Sequence, residues 1–375
     1  LYNSSCCSDT AAEYEMMEKL MIDTVLRFAV AYKVDGFRFD LMNLHTRQNM
    51  LNLQTAVQAL TVGANGVDGS KIYLYGEGWD FGSAAAKGLT SCPTCYAKQY
   101  NMTGTGIGTF NDKLRDAAHG GYNSDPLQIR HQGFINGLSY DWNGYTYANR
   151  YQSDLWAATA DLRTALAGSG GFYTDDPQET INYVEKHDNE TLFDQNVFKL
   201  PVGTAIADRV RAQNMGTSLA GLAQGIPFIQ MGQDILRSKS LDRNSYDSGD
   251  WFNRVDWSYT TNYFGSGLPP AWDNSGRWSI MGPLLTNTAL DPATANIQFG
   301  AAHLRETLRL RQSSALFRLT TEADANARIS FYNTDNSKDA LIVMALSDSP
   351  APDLDAAYET ILVFFNANKV AQNYT

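Results

Sequence analysis

Apolar residues recur along the chain with two different periods, and the switches between them outline its elements. From Thr10 to Tyr32 the period is helical: Met17, Leu20, Met21, Val25 and Phe28 fall on one stripe, and Thr10 with Glu13 predicts a capping box at the start. The stretch VDGFRFDLM, residues 34 to 42, reads as a buried strand. A helical segment at 46 to 60 follows, and then KIYLYGEGWD, whose aromatic and aliphatic residues alternate as in a second strand. Strand, helix and strand at this spacing form a βαβ unit, so the two strands should run parallel. The rhythm returns in ETINYVEKHDN at 179 to 189, a helix near 207 to 223, and GIPFIQMGQD at 225 to 234. Each strand ends in polar residues, the pattern of a (β/α) barrel whose site is built on loops at the carboxyl ends of its strands.

A last amphipathic helix at 301 to 312 gives way to RISFYN, ALIVMAL and TILVFFNAN, which predict strands of a small β domain. Four or five barrel strands are legible where eight are required, so the sequence reads as the second part of a longer protein. The expected fold class is α/β: the carboxyl-terminal part of a (β/α)8 TIM barrel over residues 1–318, its first strands missing, then the start of a small all-β sandwich at 319–375. The stretch 238 to 300 lacks periodicity, but Trp251, Trp257, Trp272 and Trp278 within it argue for an ordered loop.

Composition narrows the partners. A chain of 375 residues with 43% hydrophobic and 18% charged content should bury a large core. A net charge of -11 without a basic stripe excludes nucleic acid, and no apolar run is long enough to imply a membrane partner; the chain is expected to act as a monomer. Aromatic residues, 12% of the total, suit polyhydroxylated ligands and ordinary cores alike. The cysteines come as Cys6 beside Cys7 and as Cys92 and Cys95 in CPTC. One CxxC fits half a zinc site, a redox pair or a loop disulfide; with no second pair or histidine cluster at ligand spacing, the disulfide is favoured, and with it an extracellular or cell-envelope setting. No acidic loop has convincing calcium-ligand spacing, so structural calcium is not evident and no cofactor is required.

Charged residues inside strands carry the chemistry. In an extended chain Val34, Gly36, Arg38, Asp40 and Met42 share one face, which makes Arg38 and Asp40 neighbours. Tyr73, Tyr75, Glu77 and Trp79 share a face of the second strand, and Gly76 and Gly78 leave room for a close approach beside the carboxylate. Neighbouring parallel strands lie about 4.8 Å apart, which brings Asp40 and Glu77 within reach of the roughly 5 to 5.5 Å that a retaining glycosidase needs. In EKHDNET strict alternation cannot turn both His187 and Asp188 inward, so one must lie where the chain bends. Taken singly, Arg38 with Asp40 fits a structural ion pair, Glu77 a solvent-facing strand end and HDN a turn. Their occurrence together, in order, at strand ends favours a site.

DGFRFDLM, YGEGWD and KHDNETLFD, in this order, resemble three of the four signature regions of the α-amylase clan (glycoside hydrolase family 13), in the form seen in type I pullulanases and limit dextrinases. CCSD, GTGIGTFNDKLRDAAHGG at 104 to 121, and RSKSLDRNSYDSGDWFNRVDW at 237 to 257 are also similar to that subfamily. The resemblance implies a retaining hydrolase of α-1,6 branch linkages in pullulan, limit dextrin or amylopectin. Asp40 would be the nucleophile oriented by Arg38, Glu77 the acid and base, and Asp188 with His187 the grip on the sugar. Trp79 and Phe81 would face the leaving-side sugar, and Asp250 and Arg254 the glycone side. The clan's first signature region has no counterpart in the chain. An α-1,4-acting or glucan-transferring member of the clan, or a glucan-binding fragment without turnover, are the rival readings.

Overall fold

A computed structural model describes residues 3–4, 7–82, 94–122, 128–145, 151–168 and 173–374. The chain divides into two compact units, the first comprising Leu1–Phe110, Gly168–Ile181 and Thr320–Glu322, the second Asn111–Ala167, Asn182–Leu319 and Ala323–Thr375.

In the first unit helix α1 (Glu15–Tyr32) buries Met21, Val25 and Ala29, spaced four apart on one face. Helix α2 (Arg47–Gln58) presents Met50, Leu53 and Val57 to the same cluster. The start of α1 differs from the expectation: it begins at Glu15 after Tyr14, which makes no side-chain cap, so Thr10 and Glu13 form no capping box there. Acidic Glu15 and Glu18 in the first turn suit the positive end of the helix dipole, and Glu18 also accepts hydrogen bonds from Asn49 at 2.8 Å and Asn52 at 2.5 Å. Leu20 and Phe28, placed on the buried stripe by their spacing, are exposed, and Phe28 packs on Tyr32 with ring centroids 5.0 Å apart. The start of α2 is capped reciprocally, Asn49 N–H donating to Thr46 Oγ1 at 3.0 Å and Thr46 N–H to Asn49 Oδ1 at 3.0 Å.

Strands β1 (Gly36–Phe39), β2 (Tyr73–Gly76), β3 (Gly108–Phe110) and β4 (Thr180–Asn182) follow one another in the sheet, and the three pairings are parallel. As the sheet's edge strand β1 is only partly buried, where the sequence predicts full burial. β3 is buried throughout but, at three residues, is too short to display a period. β4 is far shorter than the run at 179 to 189: Tyr183 to Lys186 stay buried after the strand has ended.

The second unit takes over at Asn182, whose carbonyl accepts the Phe228 N–H at 2.8 Å beside β5 (Ile226–Pro227). Helices α3 (Asp112–His119), α4 (Gln152–Ala167), α5 (Leu192–Lys199), α6 (Ile206–Leu222), α7 (Trp278–Leu285) and α8 (Thr294–Ser313) belong to this unit. Phe193, Val197, Val210, Ile235, Met281 and Ile297 share its main apolar cluster. Arg311 of α8 donates to the carbonyls of Gly221 at 3.2 Å, Ala223 at 2.6 Å and Gly225 at 2.5 Å, satisfying acceptors that the end of α6 leaves open. The tryptophan-rich stretch is ordered as expected, by hydrogen bonds such as Trp251 Nε1–H to the Ser266 carbonyl at 3.0 Å and Trp278 Nε1–H to that of Pro269 at 2.9 Å.

Strands β6 (Ile329–Tyr332), β7 (Leu341–Ser347) and β8 (Thr360–Asn366) form an antiparallel sheet in that order. β7 is buried on both faces, and Arg328 just ahead of β6 is buried against Asp348 at 2.6 Å. No helix among the described residues is long and apolar enough to cross a membrane.

Gly76 and Gly78 leave room for a close approach by the protein's own chain. A Cβ on Gly76 would stand 2.6 Å from the Phe39 carbonyl oxygen and 2.7 Å from Met42 Cβ, and one on Gly78 would stand 2.7 Å from the Gln99 nitrogen. Gly76→Ala should therefore destabilise the protein by about 1–3 kcal/mol, read as a lower urea midpoint. An unchanged midpoint would refute this close approach.

Candidate active site

Two strand ends and one guanidinium make the centre of the first unit. The register pairs Phe39 with Gly76, and the Glu77 N–H reaches the Phe39 carbonyl at 3.0 Å, so Asp40 and Glu77 emerge side by side where the ladder stops. Arg38 lies 2.5 Å from Asp40 Oδ1 through Nη1 and 2.8 Å from Glu77 Oε1 through Nη2. The second contact is a close approach without in-line hydrogen-bond geometry. The other Glu77 oxygen accepts the Leu41 N–H at 3.0 Å, and Leu41 adopts a left-handed backbone, φ 47°, uncommon for a branched side chain. Exposure separates the two carboxylates sharply: the Glu77 side chain is 1% exposed and that of Asp40 59%. One carboxylate is sheltered and the other is open to solvent.

Phe110 at the end of β3 braces this trio. The Arg38 guanidinium stands 5.7 Å from its ring, Tyr75 packs at 6.0 Å and half-buried Trp79 at 6.4 Å. Phe81 is exposed and its carbonyl is held by Asn43 Nδ2–H at 2.7 Å. Cys95 is disulfide-bonded and Cys7 is exposed, while Cys6 and Cys92 lie outside the described residues.

His187 and Asp188 stand in the second unit at the bend after β4, both about half exposed, at 54% and 50%, because Asn189 turns the chain with a φ of 63°. Asp188 Oδ2 is 2.5 Å from the ammonium of buried Lys186, and Oδ1 is 3.4 Å from His187 Nε2. Burial raises the pKa of Asp188, but Lys186, His187 and Lys239 outweigh it and hold the carboxyl below its ordinary value. Asp250 opens a single exposed turn, Asp250–Phe252. The Arg254 guanidinium lies 3.8 Å from the Trp251 ring and 4.0 Å from that of Tyr263, and donates to Ser266 Oγ at 3.3 Å. The structure thus groups the expected residues as Arg38, Asp40 and Glu77 in one unit, with His187 and Asp188, and separately Arg254 and its rings, in the other.

Residues 259–375 match the family model described as alpha-1,6-glucosidases, pullulanase-type, C-terminal. The chain is 40% identical to the chloroplastic pullulanase 1 of Arabidopsis thaliana over 99% of its own length, and 34% identical to the pullulanase of Klebsiella pneumoniae over 97%. The solved maltotriose complex of PulA from Klebsiella pneumoniae superposes on 97% of the chain with a TM-score of 0.87 at 34% identity. The chain is similar to pullulanases over nearly its whole length, and residues 259–375 match the pullulanase-type carboxyl-terminal family model. It spans 41% of the Arabidopsis relative, 34% of the Klebsiella one and 40% of that solved chain. Its mixed architecture, a parallel sheet and a small antiparallel one, is that of solved pullulanases.

A layer of buried charge that sequence reasoning did not assign underlies the second cluster. Lys239 donates from Nζ to the His187 carbonyl at 3.2 Å, and Glu190 pairs with Arg277 at 3.2 Å. Glu185 accepts the Leu192 N–H, and Asp194 accepts from Ser238 Oγ at 2.5 Å and the Lys239 N–H at 2.8 Å. The available signal was the density of charge in EKHDNETLFD and RSKS where the flanking pattern is apolar. Burial pushes Glu185 up to about 7 and Asp194 up to about 6. Folded Glu185 therefore keeps its proton at pH values where the unfolded chain, with its ordinary value of 4.5, has lost it. The native state binds more protons in that window, so this group's contribution to stability falls as pH rises from 4.5 to about 7. Relative to the native protein, Glu185→Gln should gain stability across that window by up to about 1.4 kcal/mol per pH unit. Urea melts at several pH values check this, and a flat difference refutes it.

Proposed function

We propose that the chain carries the catalytic carboxylates of a retaining glycoside hydrolase that cleaves α-1,6-glucosidic branch linkages in pullulan, limit dextrin or amylopectin. The observation that carries the reading is Arg38 spanning exposed Asp40 and buried Glu77 at adjacent parallel strand ends. Similarity to pullulanases and the alpha-1,6-glucosidase family model support the branch linkage, and the maltotriose complex of the Klebsiella relative supports a glucan ligand. In this reading the parallel strands are the carboxyl-terminal part of a (β/α)8 barrel and β6 to β8 begin a β-sandwich. The disulfide at Cys95 favours an oxidising compartment.

Asp40 attacks the anomeric carbon while Glu77 gives its proton to the departing glycosidic oxygen, leaving a glucosyl ester on Asp40 and a carboxylate at Glu77. Glu77 then takes a proton from water, whose oxygen attacks the same carbon and frees Asp40. Charge is conserved throughout. Before the first step Asp40 is the anion beside Arg38, and after it Glu77 is, so one guanidinium serves both stages without moving. Asp188, held ionised, grips sugar hydroxyls and favours the positive oxocarbenium-like transition state, with His187 as a further hydrogen-bonding group. Trp79 and Phe81 offer rings to the leaving-side sugar, and Asp250 and Arg254 polar contacts on the glycone side. The side chains supply this chemistry without a cofactor.

Pullulan products test the linkage in the intact protein: maltotriose is expected, whereas panose or isopanose would reassign it to α-1,4 cleavage and longer glucans to transfer. Glu77→Gln should lower kcat by about 10²- to 10⁴-fold. Asp40→Asn should block formation of the covalent intermediate, and near-normal turnover in either variant would remove the assignment.

A further inference from the structure

Lys186 is the least expected group in the second unit. Its side chain is 3% exposed, yet it pairs at 2.5 Å with Asp188, which is 50% exposed. A buried ammonium without its counterion costs several kcal/mol, so the pair constrains both members. The two meet across a bend: β4 has ended at Asn182, and the chain turns through His187, Asp188 and Asn189, which brings the Asp188 carboxylate back beside Lys186. One Asp188 oxygen is thereby committed to Lys186 and the other stands near His187, which fixes the carboxylate plane. A carboxylate has about four acceptor positions, so lone pairs remain for sugar hydroxyls.

The turn is fixed from below as well. Lys239, 1% exposed, donates to the His187 carbonyl at 3.2 Å. Its own backbone N–H donates to Asp194 Oδ2 at 2.8 Å, and the Asp194 N–H donates to Thr191 Oγ1 at 3.2 Å, the cap of α5. The segment that ends in Asp188 is therefore clamped between a helix start and a buried loop.

We infer that Lys186 is a positioning residue for the reaction: through its ion pair it holds Asp188 in the single orientation that meets the transition state, with Lys239 fixing the peptide beneath. The inference rests on the role given to Asp188 under the proposed function. It adds a residue that acts through Asp188 and touches no substrate itself.

The test compares Lys186→Met, Lys186→Arg, Asp188→Asn and the Lys186→Met/Asp188→Asn double variant of the intact protein on pullulan, with melting temperature as the check on folding. Lys186→Met should lower kcat about tenfold or more with KM changed less than about threefold, the pattern of an interaction felt chiefly in the transition state. Lys186→Arg, which keeps the charge, should recover most of that loss. In the Asp188→Asn background Lys186→Met should cost less than about twofold more, because the pair is already broken. Full activity in Lys186→Met, equal losses in the Met and Arg variants, or additive losses in the double variant would overturn the inference while leaving Asp188 in its role. An active Asp188→Asn would overturn that role and the inference with it. If Lys186→Met does not fold, Lys186→Gln, which keeps a donor without the charge, is read by the same criteria.

Discussion

One guanidinium between two carboxylates of unequal exposure is the interaction on which the first unit is organised. Glu77 is almost wholly withdrawn from solvent, and burying a carboxylate there without a partner would cost several kcal/mol. Arg38 offsets that cost and at the same time reaches Asp40, so the requirement for a stable fold and the requirement for paired acids meet in one side chain. The geometry depends on register: a one-residue slip between β1 and β2 would send Glu77 to the opposite face of the sheet from Arg38. The glycines around Glu77 protect that register by letting Phe39, Met42 and Gln99 approach where a Cβ would push them away.

The second unit solves a different problem. Asp188 is exposed at a bend, where a carboxylate would ordinarily swing freely, and the structure restrains it with charge drawn from beneath the surface. Lys186, Lys239, Asp194, Glu190 and Arg277 are all buried, and the contacts seen among them supply donors and counterions across strand end, helix start and loop. Such a network is sensitive to losing any member, because each remaining charge is left in a medium that solvates it poorly. Raised pKa values at Glu185 and Asp194 are the same fact seen through titration: burial favours the neutral acid there despite nearby cations.

Much of this was legible from spacing. Period and turn residues located α2, α6, β2 and the three strands of the small sheet closely, because a face buried over several residues leaves a repeating trace. Asp40, Glu77 and Asp188 stood out because a charge inside an apolar run has to be accounted for. Where the trace is short or misleading, reading failed: β3 has three residues, β4 stops while its apolar run goes on, and Leu20 and Phe28 fit a stripe that α1 does not bury.

By itself the sequence determined which residues alternate onto a common face, where helices and strands fall, and that carboxylates end successive strands. Those are local properties, set by the two-residue and 3.6-residue repeats of the backbone. Tertiary structure alone decided that Arg38 serves Glu77 as well as Asp40, that the glycines admit Phe39, Met42 and Gln99 at close range, and that Lys186 and Lys239 underlie the His187–Asp188 bend. Counterions, close approaches and burial arise between segments tens of residues apart, and no repeat along the chain records which of them will meet.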